Sequence, residues 1–197
     1  MFGNKFIPEK LIQWLKDIDV SLFLSFNGKH NDFFDLIMYW ASHKYFWIWF
    51  YVILLVIVFI KLRKKIIIVL PAIALMILIS DRTSGMIKES VQRPRPCHNK
   101  YLENRVHINK ECGGNFGFVS SHSANTFALA LFLSVLVGKN YRRFPYLIFA
   151  WASFVSFSRI YNGVHYPADV FGGALVGLFS AYLVSKLYFY IDKKYLV

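Results

Sequence analysis

Two histidines stand among residues that could put them to chemical use. His165 precedes Asp169 by four residues in the stretch Ser158-Arg159-Ile-Tyr161-Asn-Gly163-Val-His165-Tyr-Pro167-Ala-Asp169. On a helix, or just ahead of one that starts at Pro167, this spacing lets the carboxylate reach one imidazole nitrogen and fix the tautomer. The other nitrogen is then free to attack, as when a base is oriented by a third group, here with histidine itself as nucleophile. His122 follows Ser120 and Ser121 just before an apolar run. Ser120 suits a helix N-cap, and the free N–H groups of a first helical turn attract anions. The third stretch, Lys88-Glu-Ser-Val-Gln-Arg93-Pro-Arg95-Pro96, supplies cations. Lys88, Arg95 and Arg159 form a set in which each guanidinium fork matches two phosphate oxygens. Cations fixed in an apolar setting are costly unless an anion joins them.

Together these stretches point to phosphoryl transfer. His165 would attack phosphorus and carry it as phosphohistidine. Lys88, Arg95, Arg159, Ser120 and the Ser121 N–H would hold the equatorial oxygens. His122 would protonate the leaving oxygen and then activate water. The region offers no carboxylate cluster suited to magnesium, so neither a metal nor another cofactor is expected. Each feature also has a plainer reading. Lys88, Arg93 and Arg95 can be juxtamembrane charge, and Arg93 is given no other role. His122 can be a capping histidine, and His165 with Asp169 a structural pair. His98 and His107 read as loop residues without clear partners, and Tyr161 and Gly163 as shaping the turn before His165.

The three motifs, in this order, resemble the type 2 phosphatidic acid phosphatase family, which shares its site with the vanadium haloperoxidases. The family pattern is Lys-x6-Arg-Pro, then Pro-Ser-Gly-His, then Ser-Arg-x5-His-x3-Asp. Lys88 with Arg95-Pro96 matches the first, and Ser158-Arg159 with His165 and Asp169 the third. In the second, Val119 stands for the proline and Ser121 for the glycine, while Ser120 and His122 are kept. The match covers roughly residues 45–190. It implies a helical bundle with a metal-free site near the bilayer surface. The implied substrate is a lipid phosphate or diphosphate of the phosphatidylglycerol phosphate, phosphatidate, undecaprenyl diphosphate or lipid A class. A lipid phosphotransferase on the same scaffold and a non-catalytic phospholipid-binding protein are the rival functions.

These side chains must be positioned by membrane helices. The chain is 56% hydrophobic and only 17% charged, against about 45–50% and about 25% in a soluble domain. The apolar residues fall into runs free of charge: 46–60, 66–80, 124–138, 146–157 and 170–190. Each approaches the ~20 residues needed to cross the hydrocarbon. The expected fold is all-α, an integral-membrane helical bundle of about five or six transmembrane helices. Residues 8–18 alternate apolar and charged positions at helical spacing and read as an interfacial amphipathic helix. Residues 20–42 read as a partly re-entrant or surface segment broken at Asn27-Gly28, with a tilted span as the lesser reading. The expected division is a 1–44 N-terminal segment and a 45–191 transmembrane domain.

The net charge of +12 suits anionic headgroups or a phosphate substrate, while nucleic acid would need a basic soluble surface this chain lacks. Basic groups at Lys61 to Lys65, at Lys139 to Arg143 and at Lys186, Lys193 and Lys194 fall on one side by the positive-inside rule. The loop 81–121 and the segment 158–169 then face the extracytoplasmic side of a bacterial inner membrane. That loop is itself basic, which the phosphate site would explain. Cys97 and Cys112 lie within it: a disulfide is one reading if the loop meets an oxidising compartment, two free thiols the other. No obligate protein partner and no cleavable leader is expected.

Overall fold

The computed structural model describes residues 9–102, 104–109, 111–138 and 141–195; residues 1–8 and Lys139, parts of the expected N-terminal segment and basic group, lie outside them. Seven α-helices follow in order: α1 Glu9–Asn27, α2 Asp32–Ser42, α3 Ile48–Leu62, α4 Ile66–Val91, α5 Ser121–Val137, α6 Phe144–Tyr161 and α7 Pro167–Tyr195. The fold is all-α, as expected.

The centre of the bundle is α5, which packs against α4, α6 and α7. Its buried residues lie all around its axis: Ala124, Ala128, Ala130, Phe132, Leu133 and Val137. Such a helix is a core element rather than an amphipathic surface one. Its tightest neighbour is α7. A Cβ at Gly173 would overlap the Ser120 carbonyl, and one at Gly177 the Ala124 carbonyl. Small residues allow this backbone approach, as membrane bundles favour. The outward faces are apolar: Ile53, Phe59 and Ile60 of α3, Ile67 and Leu78 of α4, and Phe171 and Phe179 of α7 are all exposed. Lipid, rather than water, is the solvent that suits such a surface. By length and composition the stretches Lys44–Val91 and Pro167–Lys194 can cross a membrane, and Ser121–Val137 is a shorter apolar helix.

Three boundaries differ from the sequence reading. The helix α4 does not stop where its apolar run ends at Ser80. Nothing breaks it before Gln92, which turns left-handed (φ 50°) and leads into Pro94. Asp81 to Val91 is therefore helix, not loop. The N-terminal amphipathic helix runs on to Asn27, and residues 20–42 resolve into the end of α1 and a second helix. Asn31 caps α2, its Oδ1 accepting from the Phe34 N–H at 2.9 Å. Both helices pack on α6, and α1 also on α7.

Candidate active site

One end of the bundle gathers all three motifs. Lys88 lies in the last turn of α4, and an extended segment carries Arg93 and Arg95 away from it. Backbone bonds pin this segment to the loop before α5: the Arg95 N–H donates to the Asn115 carbonyl (3.1 Å) and the Gly117 N–H to the Arg93 carbonyl (2.9 Å). Arg159 lies in the last turn of α6. Gly163, at φ 77°, lets the chain reverse; a side chain there is strained, and its Cβ would meet the His107 carbonyl. The N–H groups of Val164 and His165 fold back onto the Arg159 carbonyl (both 3.2 Å). Pro167 then opens α7, which places Asp169 in its first turn and His165 just ahead of it.

His165 is 2% exposed. Its Nδ1 stands 3.4 Å from Asp169 Oδ2 without forming a hydrogen bond. On its other edge, Arg95 Nη1 lies 3.3 Å from Nε2. A guanidinium can only donate, so Nε2 presents its lone pair and the ring proton belongs on Nδ1, toward Asp169. Burial, then the cations Arg95, Arg159 and Lys88, holds His165 well below the ordinary imidazole range. The ring is neutral, with its lone pair turned toward a cation.

Lys88 Nζ donates to Ser121 Oγ at 2.6 Å. Ser120 occupies the N-cap position of α5, though its hydroxyl makes no capping bond. Its N–H donates instead to the Asp169 carbonyl (2.8 Å), tying the starts of α5 and α7 together. The first N–H bonded within α5 is that of Ala124, to the Ser120 carbonyl, so the three preceding donors are the free groups of a helix start. Ser120 Oγ, Arg95 Nε and Arg159 Nε are buried without a partner. Unpaired polar atoms are rare in folded proteins, and donors clustered at a helix start suit an anion. His122 and Arg159 line one cavity of about 330 Å³, with Cys112 and Gly113 on its rim. Cys97 and Cys112 are joined as a disulfide, their Cα atoms 6.1 Å apart.

Two residues that the motifs leave out belong to this cluster. Arg93, read from sequence as stray positive charge, bridges two carboxylates: Nη1 donates to Asp169 Oδ1 at 2.9 Å and Nη2 to Asp19 Oδ2 at 2.6 Å. Asp19 Oδ1 in turn accepts the Ala168 N–H (2.8 Å), and the guanidinium lies 4.0 Å from the Tyr166 ring centroid. With the Tyr166 N–H bonded to Oδ2 (2.9 Å), Asp169 is held on both oxygens. Gly117 is the other. A Cβ there would lie 2.9 Å from Asp169 Oδ2, 3.3 Å from Arg95 Cγ and 3.6 Å from His165 Nδ1. His107 also has partners that the sequence reading did not give it. Its Nε2 is 3.0 Å from both Asp35 oxygens, and its ring stacks on His30 at 3.7 Å. Tyr161 joins by donating to Asp35 Oδ1 (2.7 Å), so α2, the loop and the turn before His165 are clamped together.

A family model described as "PAP2 superfamily" matches residues 68–193. The lipid A 4'-phosphatase of Bacteroides thetaiotaomicron is 36% identical over 177 residues, covering 88% of this chain and 78% of that one. The lipid A 4'-phosphatase of Porphyromonas gingivalis is 30% identical over 188 residues, covering 94% of this chain and 79% of that one. Among solved structures, a transmembrane PAP2 type phosphatidylglycerolphosphate phosphatase from Bacillus subtilis superposes with a TM-score of 0.72 at 20% identity. That match covers 91% of this chain and 89% of the other.

Proposed function

This chain belongs to the PAP2 superfamily of membrane lipid phosphatases, and we propose that it removes the 4'-phosphate of a lipid A-type glycolipid through a phosphohistidine on His165. Both lipid A 4'-phosphatases cited above align with it over most of their length. We place the site on the extracytoplasmic face of a bacterial inner membrane, with α3 to α7 as five spans and the segment before them at the interface.

In the first step, His165 Nε2 attacks phosphorus in line with the lipid oxygen. An N–P bond forms, the P–O bond to the lipid breaks, and His122 gives its proton to the leaving oxygen. Arg95, Arg159, Lys88, Ser120 and the free N–H groups of α5 hold the three equatorial oxygens, where charge is spread in the transition state. In the second step His122 takes a proton from water, the oxygen attacks phosphorus, the N–P bond breaks and inorganic phosphate leaves. Asp169 stabilises the Nδ1 proton as positive charge develops on the His165 ring. These fixed cations supply the charge that a divalent metal supplies elsewhere, and they disfavour one nearby.

The observation that supports this reading most is the placement of His165 Nε2 against Arg95 on one side while Asp169 stands behind Nδ1. Phosphate release from lipid A by the purified protein in detergent tests it. Turnover is expected for the unaltered protein, with at least a thousandfold loss in Arg95→Ala and Arg159→Ala. Undiminished turnover in either variant would remove that residue from the phosphate cradle.

A further inference from the structure

The cavity beside His122 is much larger than a phosphate group requires. At about 330 Å³ it falls within the size range of small-molecule sites, about 300–1,000 Å³. Its outer wall comes from outside the three motifs: Tyr39 and His43 at the end of α2, Lys44 in the turn before α3, and Glu111 in the loop before α5. Among the described residues on the lining, Val164 is the one aliphatic side chain.

The polar groups on this wall divide into two kinds. Asn109, Asn162 and Ser42 are engaged with one another and with the backbone. Asn109 Nδ2 donates to Asn162 Oδ1 (3.0 Å), and Asn162 Nδ2 to Ser42 Oγ (2.8 Å) and the Met38 carbonyl (2.9 Å). They fix the shape of the wall. Lys44 and Glu111 are exposed and make no hydrogen bond or ion pair among the described residues. His43 Nδ1 is buried without a partner, and its ring lies 5.8 Å from that of Tyr39. An ammonium, a carboxylate, an imidazole and a phenol on one lining offer donors and acceptors together with flat faces. A glycerol backbone offers few hydroxyls to engage the wall. A polyhydroxylated ring suits all of it.

We propose that this cavity is a subsite for the sugar ring bearing the scissile phosphate, with Lys44, His43 and Glu111 determining specificity for a glycolipid over a glycerophospholipid. The proposal rests on the phosphatase reading above. Glu111 accepts from ring hydroxyls, Lys44 and His43 donate to ring and acyl-linkage oxygens, and Tyr39 backs the ring face. A site built to bond hydroxyls discriminates strongly against a substrate without them, because its polar groups are then left unpaired.

The test is the ratio of kcat/KM for lipid A carrying its 4'-phosphate to kcat/KM for phosphatidate, in mixed detergent micelles. It is measured for the unaltered protein and for Lys44→Ala, Glu111→Gln and His43→Ala. The unaltered protein should prefer the glycolipid, and the ratio should fall at least tenfold in Lys44→Ala and Glu111→Gln, mostly through KM for the glycolipid. Lys44 and Glu111 are exposed, so folding is not at stake. An unaltered ratio in all three variants, or no preference in the parent, overturns the subsite and leaves the phosphatase reading standing. Release of phosphate from neither lipid by the unaltered protein overturns both.

Discussion

Arg93→Ala should impair catalysis without touching the substrate. The guanidinium is the shared partner of Asp169, whose side chain is fully buried, and Asp19, at 11% side-chain exposure. Removing one partner of a buried ion pair costs about 3–5 kcal/mol, because a charge is left uncompensated. Arg93 is itself 22% exposed, so water takes over part of its role, and about 2–3 kcal/mol of destabilisation is the reasonable figure. Asp169 keeps the Tyr166 N–H on Oδ2 but loses its partner on Oδ1. It is then free to turn away from His165 Nδ1. If half to most of that energy is lost from the transition state, kcat falls about 10–100-fold, at 1.36 kcal/mol per factor of ten. KM should stay within about twofold, since nothing that holds phosphate has moved. Arg93→Lys keeps the charge but cannot span two carboxylates with one ammonium, and should recover only part of the rate. The assay is phosphate release from a lipid phosphate in micelles, with thermal unfolding measured alongside. A kcat for Arg93→Ala within threefold of the parent would refute the reasoning, as would a loss confined to KM.

Gly117→Ala should lower kcat at least tenfold with little change in unfolding temperature, since its Cβ would press on Asp169 and Arg95 from a loop; parallel kinetics and melting curves check this. Unfolding temperature should fall as pH drops below 6.5, and fall less in His165→Asn. The unfolded histidine titrates near 6.5 and the folded one well below it, so the unfolded state binds more protons in that window, and stability present above it is lost as pH falls. Melting both proteins from pH 7.5 to 5 measures the difference. Cys97→Ser should destabilise the protein by about 3 kcal/mol, the loop-closure value for a disulfide spanning about 15 residues. Because Cys112 lines the cavity with His122, turnover should fall as well, and reductant should reproduce both effects in the parent.

The gathering of the candidate site was legible because each motif is short and its chemistry depends on residue type. Lys88 with Arg95, Ser120 with His122, and Arg159 with His165 and Asp169 all come to one end of the bundle. The all-α fold was legible from the length of the apolar runs. Arg93 was not, because its partners lie 74 and 76 residues away and a guanidinium in a basic stretch looks like surface charge. Gly117 has no periodic neighbour to mark it, and its role lies in the space it leaves. The extent of α4 was missed because hydropathy marks where lipid contact stops, and a helix ends only where its backbone does, here at Gln92. His107 looked idle because its partner Asp35 sits on α2, a helix the sequence reading took for a re-entrant or surface segment.

The central claim is that His165 carries the phosphoryl group. Acid quenching after a single turnover of lipid labelled with ³²P on its phosphate tests this directly. The parent should retain label on the chain with the acid-labile, alkali-stable behaviour of phosphohistidine. His165→Ala, folded by its melting curve, should take up none and release no phosphate. Label or turnover surviving in that variant would contradict the assignment.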